Sequence, residues 1–137
     1  MKKILYVLAF AISTILTSCS PAGQIEIAVA AASSECPIEL DEATTIVDII
    51  TEDNNIVYKC VFDEAEAGMD LSEIAGIEFR KIQKQLFLNE FKSLQKQDEA
   101  YAELIKLCKE ANYNIKYRMI GSMTDYKYDI TFYSHEL

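Results

Sequence analysis

The chain has 137 residues, half of them hydrophobic, and a formal net charge of −9. That balance excludes nucleic-acid binding through a basic patch, which needs clustered Lys and Arg. The acids are uneven: Glu35 to Glu78 holds 13 acids and one base, Lys59, whereas Phe79 onward holds eight acids and ten bases. The acid-rich half reads as a solvated face, with a docking surface for a basic partner or a divalent cation as the alternative.

In chain order, Lys2 and Lys3 give a basic start, and Ile4 to Leu16 is 13 residues without charge. That run is too short to span a bilayer, which needs ~20. A basic start, a short apolar core and small residues at its end predict a cleavable export signal over 1–18. The ending Leu16-Thr17-Ser18-Cys19 resembles the lipobox of bacterial lipoproteins. In that family the cysteine thiol takes a diacylglyceryl group, the chain is cut just before it, and the new N-terminus is acylated. The resemblance implies lipidation at Cys19 and a membrane as partner through the lipid. It also implies a place on the cell membrane or outer membrane, facing periplasm or exterior. Two or more acyl chains anchor stably where one does not. An ordinary secreted protein cut near Ser18 or Ala22 is the alternative. Loss of Lys2 and Lys3 takes the net charge from −9 to −11.

Residues 19–35 have Pro, Gly and Ser at their ends and are expected to tether lipid to domain. Their middle, Gln24 to Ala32, is too apolar for a solvated linker and suits a short helix or an added strand. The remaining 36–137 form a single domain, long enough to bury a core without staples. Thr44 to Thr51 is rich in β-branched residues and predicts a strand, with Ile56 to Phe62 as its partner. Glu52-Asp53-Asn54-Asn55 lies between them and favours a turn. A turn centred on Asp53-Asn54 pairs Asp48 with Lys59 and places Val47, Ile49, Tyr58, Cys60 and Phe62 on one face.

Asp63 to Gly68 reads as an acidic loop. Asp70 or Ser72 then caps a long helix with an apolar face of Leu71, Ile74, Ala75, Phe79, Ile82 and Leu86, continued by Phe87, Phe91 and Leu94 on a shifted stripe. The helix ends or kinks near Lys96 to Asp98. Asp98 caps a second helix whose face is Tyr101, Leu104, Ile105 and Cys108, and Asn112 suits the left-handed stop after it. Ile115, Tyr117 and Met119, then Tyr126, Tyr128, Ile130 and Phe132, alternate with polar residues around a turn at Gly121 to Asp125. They predict a closing hairpin with one buried face. The fold class is therefore α+β: two antiparallel β-hairpins forming one sheet, packed against one long or two consecutive helices. Cys36-Pro37-Ile38-Glu39-Leu40-Asp41-Glu42-Ala43-Thr44-Thr45, with Val57-Tyr58 and the closing Ile115-Lys116-Tyr117-Arg118, resembles small exported bacterial domains of unassigned function. That resemblance implies the same order of elements and no activity.

Catalytic constellations are missing from the sequence. The only histidine, His135, stands three residues from the end, a poor place for a general base. Cys36, Cys60 and Cys108 have no spacing for zinc, and Asp63 to Gly68 has Ala at the third and fifth positions, where a calcium loop needs oxygens. No metal and no cofactor is expected. Three cysteines beyond Cys19 permit one disulfide in an oxidising compartment. Cys36 and Cys60, flanking the first hairpin, are the pair expected, with Cys108 as a small core hydrophobe. Tyr117, Tyr126 and Tyr128 read as half-buried strand residues or, alternatively, as an aromatic face for a ligand. The reading is a lipid-anchored, non-catalytic module of the cell envelope that binds a protein or peptide partner. The alternatives are a small envelope enzyme using carboxylates or a free thiol, and a structural component assembling through strand edges.

Overall fold

The structure, a computed structural model, describes residues 20–137. The expected export signal and Cys19 lie outside the described residues. Five strands form one sheet in the order β1 (Ile38–Glu39), β2 (Thr44–Glu52), β3 (Asn55–Phe62), β4 (Asn114–Gly121), β5 (Lys127–Phe132). All neighbours are antiparallel except β3 and β4, which are parallel. A parallel pair needs a crossover, and the helices between Glu64 and Ala111 supply it. The fold is α+β, with both predicted hairpins present and β1 added at one edge.

The first hairpin turns on Asp53 and Asn54, both with positive φ (49° and 59°). That is the backbone twist a two-residue turn between right-twisted strands requires. Asp48 stands opposite Lys59, as the register predicts. Val47 does not share their buried face: the register shifts between Ile46 and Asp48, and Val47 is exposed while Ile46 is buried. An extra residue at the bulge reverses which side faces the core. The Asp48 carboxylate accepts the Ser33 hydroxyl at 2.6 Å and the Ile49 amide at 2.9 Å.

The segment expected as a tether is helical across its apolar middle, one of the two forms expected there: α1 (Pro21–Ser33). Ser20 caps it by accepting the Gly23 amide at 3.2 Å, and Pro21 sits where a missing N–H costs nothing. Ile25, Ala28, Val29 and Ala32 recur at helical spacing and are buried, and α1 packs on β2 and on the last long helix. The apolar middle of the segment belongs to the core, so the domain begins at about Ser20 rather than at Cys36.

The helical middle is broken more often than periodicity suggests. It comprises α2 (Glu64–Ala67), α3 (Leu71–Ile74), α4 (Ile77–Gln97) and α5 (Glu99–Ala111). Asp70 opens α3 with a capping box to Glu73. Ala75 and Gly76 leave the helix, and α4 restarts at Ile77 with its phase reset. Leu71 and Ala75 are buried, but the predicted continuation is not: Phe79 is 42 %, Ile82 60 % and Leu86 60 % exposed. Phe87, Phe91 and Leu94 hold α4 to the core instead. Asp98 accepts from Ala100 and Tyr101 and caps α5, and Asn112 ends it at φ 56°. Both were predicted, as was the buried face of Tyr101, Leu104, Ile105 and Cys108.

Rings fill the space between sheet and helices. Tyr58 and Tyr117 lie 4.9 Å apart, Phe87 and Tyr117 5.2 Å, and Phe91 and Phe132 5.0 Å. Such pairs each add about 0.5–1.5 kcal/mol beyond burial. The Tyr101 hydroxyl is buried with no hydrogen-bond partner among the described residues. Removing an unpaired buried hydroxyl removes its desolvation cost, so Tyr101→Phe is expected to stabilise the fold by about 1 kcal/mol, read as a higher urea midpoint.

Candidate functional site

The alternative of an aromatic ligand face at Tyr117, Tyr126 and Tyr128 is not assembled. Tyr117 is buried among Tyr58, Phe87 and Phe132. Tyr128 is buried with its hydroxyl donating to Gln83 at 3.2 Å. Only Tyr126, beside the closing turn, is exposed. Alternation on a half-buried strand placed Tyr117 and Tyr128 inward, and the aromatic core took them.

Cys36, Cys60 and Cys108 are free thiols, so the expected Cys36–Cys60 bond is not formed. Cys36 rests its sulfur 3.8 Å from the Ala32 carbonyl at the end of α1, while Cys60 points into the core. Burial, with Cys36 adding to it, pushes the Cys60 thiol up to about 12. Burial likewise pushes Cys108 up to about 12. Both stay protonated at neutral pH and are poor nucleophiles. His135 stacks on Tyr133 at 5.8 Å in the closing 3-10 turn, Ser134–Glu136. Among the described residues no group of three metal-ligating side chains comes together.

The acidic loop 63–68 contributes a buried carboxylate that sequence reading left in solvent. Glu64 accepts the amides of Leu71 (2.7 Å), Met123 (2.8 Å) and Thr124 (2.9 Å), and the Thr124 hydroxyl contacts both its oxygens. Burial alone would raise its pKa; the donors outweigh that and hold it down at about 2. The cluster joins α2, the start of α3 and the closing turn, and its polar atoms are satisfied by the chain itself.

Two surfaces remain open. The first is the apolar row Phe79, Ile82 and Leu86, at steps of three and four along α4. Beside it a small cavity of about 80 Å³ is lined by Leu40, Phe87, Tyr117, Met119 and Ile130, with Gln83 and Asp41 at its polar side. The second is a groove of about 330 Å³ between α4 and β5, lined on the helix side by Ile77, Arg80, Lys81 and Lys84. The spacing of Arg80 and Lys84 in a base-rich stretch was a signal for this basic wall, since residues four apart share a helix face. The exposed apolar row had the same sequence pattern as a buried one, so periodicity alone could not separate them.

No family model matches the chain, and no curated protein matches it by sequence. Two solved structures share its fold. A candidate secreted protein of Pseudomonas aeruginosa superimposes with a TM-score of 0.56 at 12 % identity, covering 85 % of this chain and 91 % of its own. The pilotin of the Vibrio vulnificus type 2 secretion system does so with a TM-score of 0.52 at 10 % identity, covering 99 % of this chain and 96 % of its own. At these identities the likeness is one of fold. Among the described residues no helix is long and apolar enough to cross a membrane.

Proposed function

We propose that this chain is an exported, lipid-anchored protein of the cell envelope that acts by binding a protein partner rather than by catalysis. The observation that carries the binding half is the uncovered apolar row Phe79, Ile82 and Leu86 on a helix held to the core by Phe87, Phe91 and Leu94. Contiguous apolar side chains left in water mark interaction surfaces. The anchoring half rests on Leu16-Thr17-Ser18-Cys19 and its resemblance to a lipobox. The shared fold of a secretion-system pilotin and a candidate secreted protein supports a place in the envelope. The high thiol pKa values of Cys60 and Cys108 weigh against a cysteine enzyme.

Both halves are tested in cells. Mass spectrometry of the mature protein is expected to show a chain beginning at an acylated Cys19. A photo-crosslinking side chain at Leu86 is expected to trap one defined protein adduct, lost in Cys19→Ala because the chain no longer shares the partner's surface. An unmodified Cys19 defeats the anchor. A Leu86 probe that traps nothing in the anchored protein defeats the binding reading.

A further inference from the structure

We propose that the groove between α4 and the free edge of β5 receives an extended, acid-bearing segment of the partner protein, added as a sixth strand. This rests on the binding reading above and gives the partner a second contact besides the apolar row. Asp129, Ile130 and Thr131 all line the groove. Successive strand residues point to opposite faces, so three in a row meet one groove only at the strand's edge. β5 is the last strand of the sheet, with β4 on one side and no strand on the other among the described residues. Backbone N–H and C=O groups on that side are therefore offered to a further strand.

The opposite wall selects for charge. Lys81 pairs with Glu78 at 3.3 Å, and Lys84 with Glu136 at 2.9 Å. The Asp129 carboxylate is engaged by Arg118 at 3.0 Å and Lys116 at 4.0 Å. Arg80 has no carboxylate and no hydrogen-bond partner among the described residues. Its Nε is buried without a partner, and its guanidinium lies over the Tyr128 ring at 5.7 Å. Of the three cations that line the groove, Arg80 is thus the one without a carboxylate among the described residues, and it stands beside the free strand edge. A carboxylate on the incoming strand would supply the missing partner, with the charge-assisted geometry a guanidinium favours. Ile77 and Tyr133, both exposed, offer apolar contact along the same groove. A second copy of this chain fits less well. Its own β5 carries a single acid, Asp129, already held by Arg118, and would bring a second Arg80 against the first.

The test uses the mature chain in detergent and two fluorescein-labelled octapeptides of alternating Val and Thr, one with a central Asp and one with a central Lys. Fluorescence anisotropy is expected to show the Asp peptide bound at least about ten-fold tighter. Amide chemical shifts are expected to move along Lys127 to Phe132. Arg80→Glu should reverse the preference between the peptides, which a purely structural role for Arg80 would not do. Ile77→Asp, on an exposed position, should weaken the Asp peptide without altering the melting temperature. Equal binding of both peptides overturns the proposal, as do shifts confined to Phe79, Ile82 and Leu86. So does a concentration-dependent dimer through β5 in ultracentrifugation, which would assign the edge to a second copy. Failure of both peptides in a chain that still gives the Leu86 adduct overturns this site and leaves the binding reading intact.

Discussion

A chain that starts at Glu35, lacking α1, should fail to fold cooperatively. The expected circular-dichroism melt is broad or absent where the chain from Cys19 gives a single sharp transition. The reason is burial. Ile25 and Val29 are almost wholly removed from water, and Ala28 and Ala32 lie against the core beside them. Two large aliphatic side chains contribute about 1.5–3 kcal/mol each. Truncation would also expose the faces of α5 and β2 that α1 covers. Whole domains are stable by only about 5–15 kcal/mol, so the loss takes most of that margin. A milder variant, Ala28→Asp, places a carboxylate in the same interface and should lower the melting temperature by on the order of 10 °C or more. A 35–137 chain with the full melting temperature would show that α1 is dispensable.

The same helix changes what an anchor at Cys19 would mean. Ser20, the next residue, is already the N-cap of α1. A lipid on Cys19 would therefore hold the domain at the bilayer surface with almost no flexible spacer. A long tether would let the module search a volume; a rigid attachment restricts which faces it can offer. The Leu86 adduct and its dependence on Cys19 probe that restriction directly.

What could be read from the sequence follows from which signals are local. Asp98 and Asn112 carry their conformations in their own side chains, and both stand where capping chemistry puts them. Asp53-Asn54 fixed the first hairpin and its register for the same reason. The bulge at Val47 had no such mark, because whether a β-branched residue is paired depends on its partner strand. Residues 20–35 show the limit most clearly. Pro, Gly and Ser at the ends suit a linker, yet Ser20 and Pro21 are equally a cap and a first turn. Only the packing of Ile25 and Val29 decides between them. The α4 stripe failed in the opposite sense: Phe79, Ile82 and Leu86 have core periodicity, but the break at Ala75-Gly76 turned that face outward. Glu64 could not have been singled out, since it is one of many acids in sequence, and the spacing of Arg80 and Lys84 marked a basic wall without marking Arg80. Glu64 became distinctive by being surrounded with donors, Arg80 by a buried Nε left without a partner.

Glu64 and Gly121 give the sharpest test of the closing turn. A Cβ on Gly121 would stand 2.6 Å from the Glu64 Oε1, 2.8 Å from its Cδ and 2.8 Å from the Thr124 Oγ1. The carboxylate cannot yield easily, because amides of Leu71, Met123 and Thr124 hold it. Gly121→Ala should therefore cost roughly 1–3 kcal/mol by overpacking. The cost should shrink when Glu64 is also Ala, since the nearer of the two obstructing side chains is gone, and a double-mutant cycle in urea reads that coupling. Acid separates the charge from the packing. The folded-state pKa of Glu64, about 2, lies below its ordinary 4.5. Its contribution is thus fully present above 4.5 and is lost as pH falls from there toward 2. Glu64→Gln should lower the melting temperature by several degrees at neutral pH, because a neutral amide accepts from the same donors less strongly. The gap between wild type and Glu64→Gln should then close as the pH is taken down through that window. A gap that stays constant from neutral pH to pH 2 would mean that shape at this site, and not the ionised carboxylate, is what joins α2 to the turn.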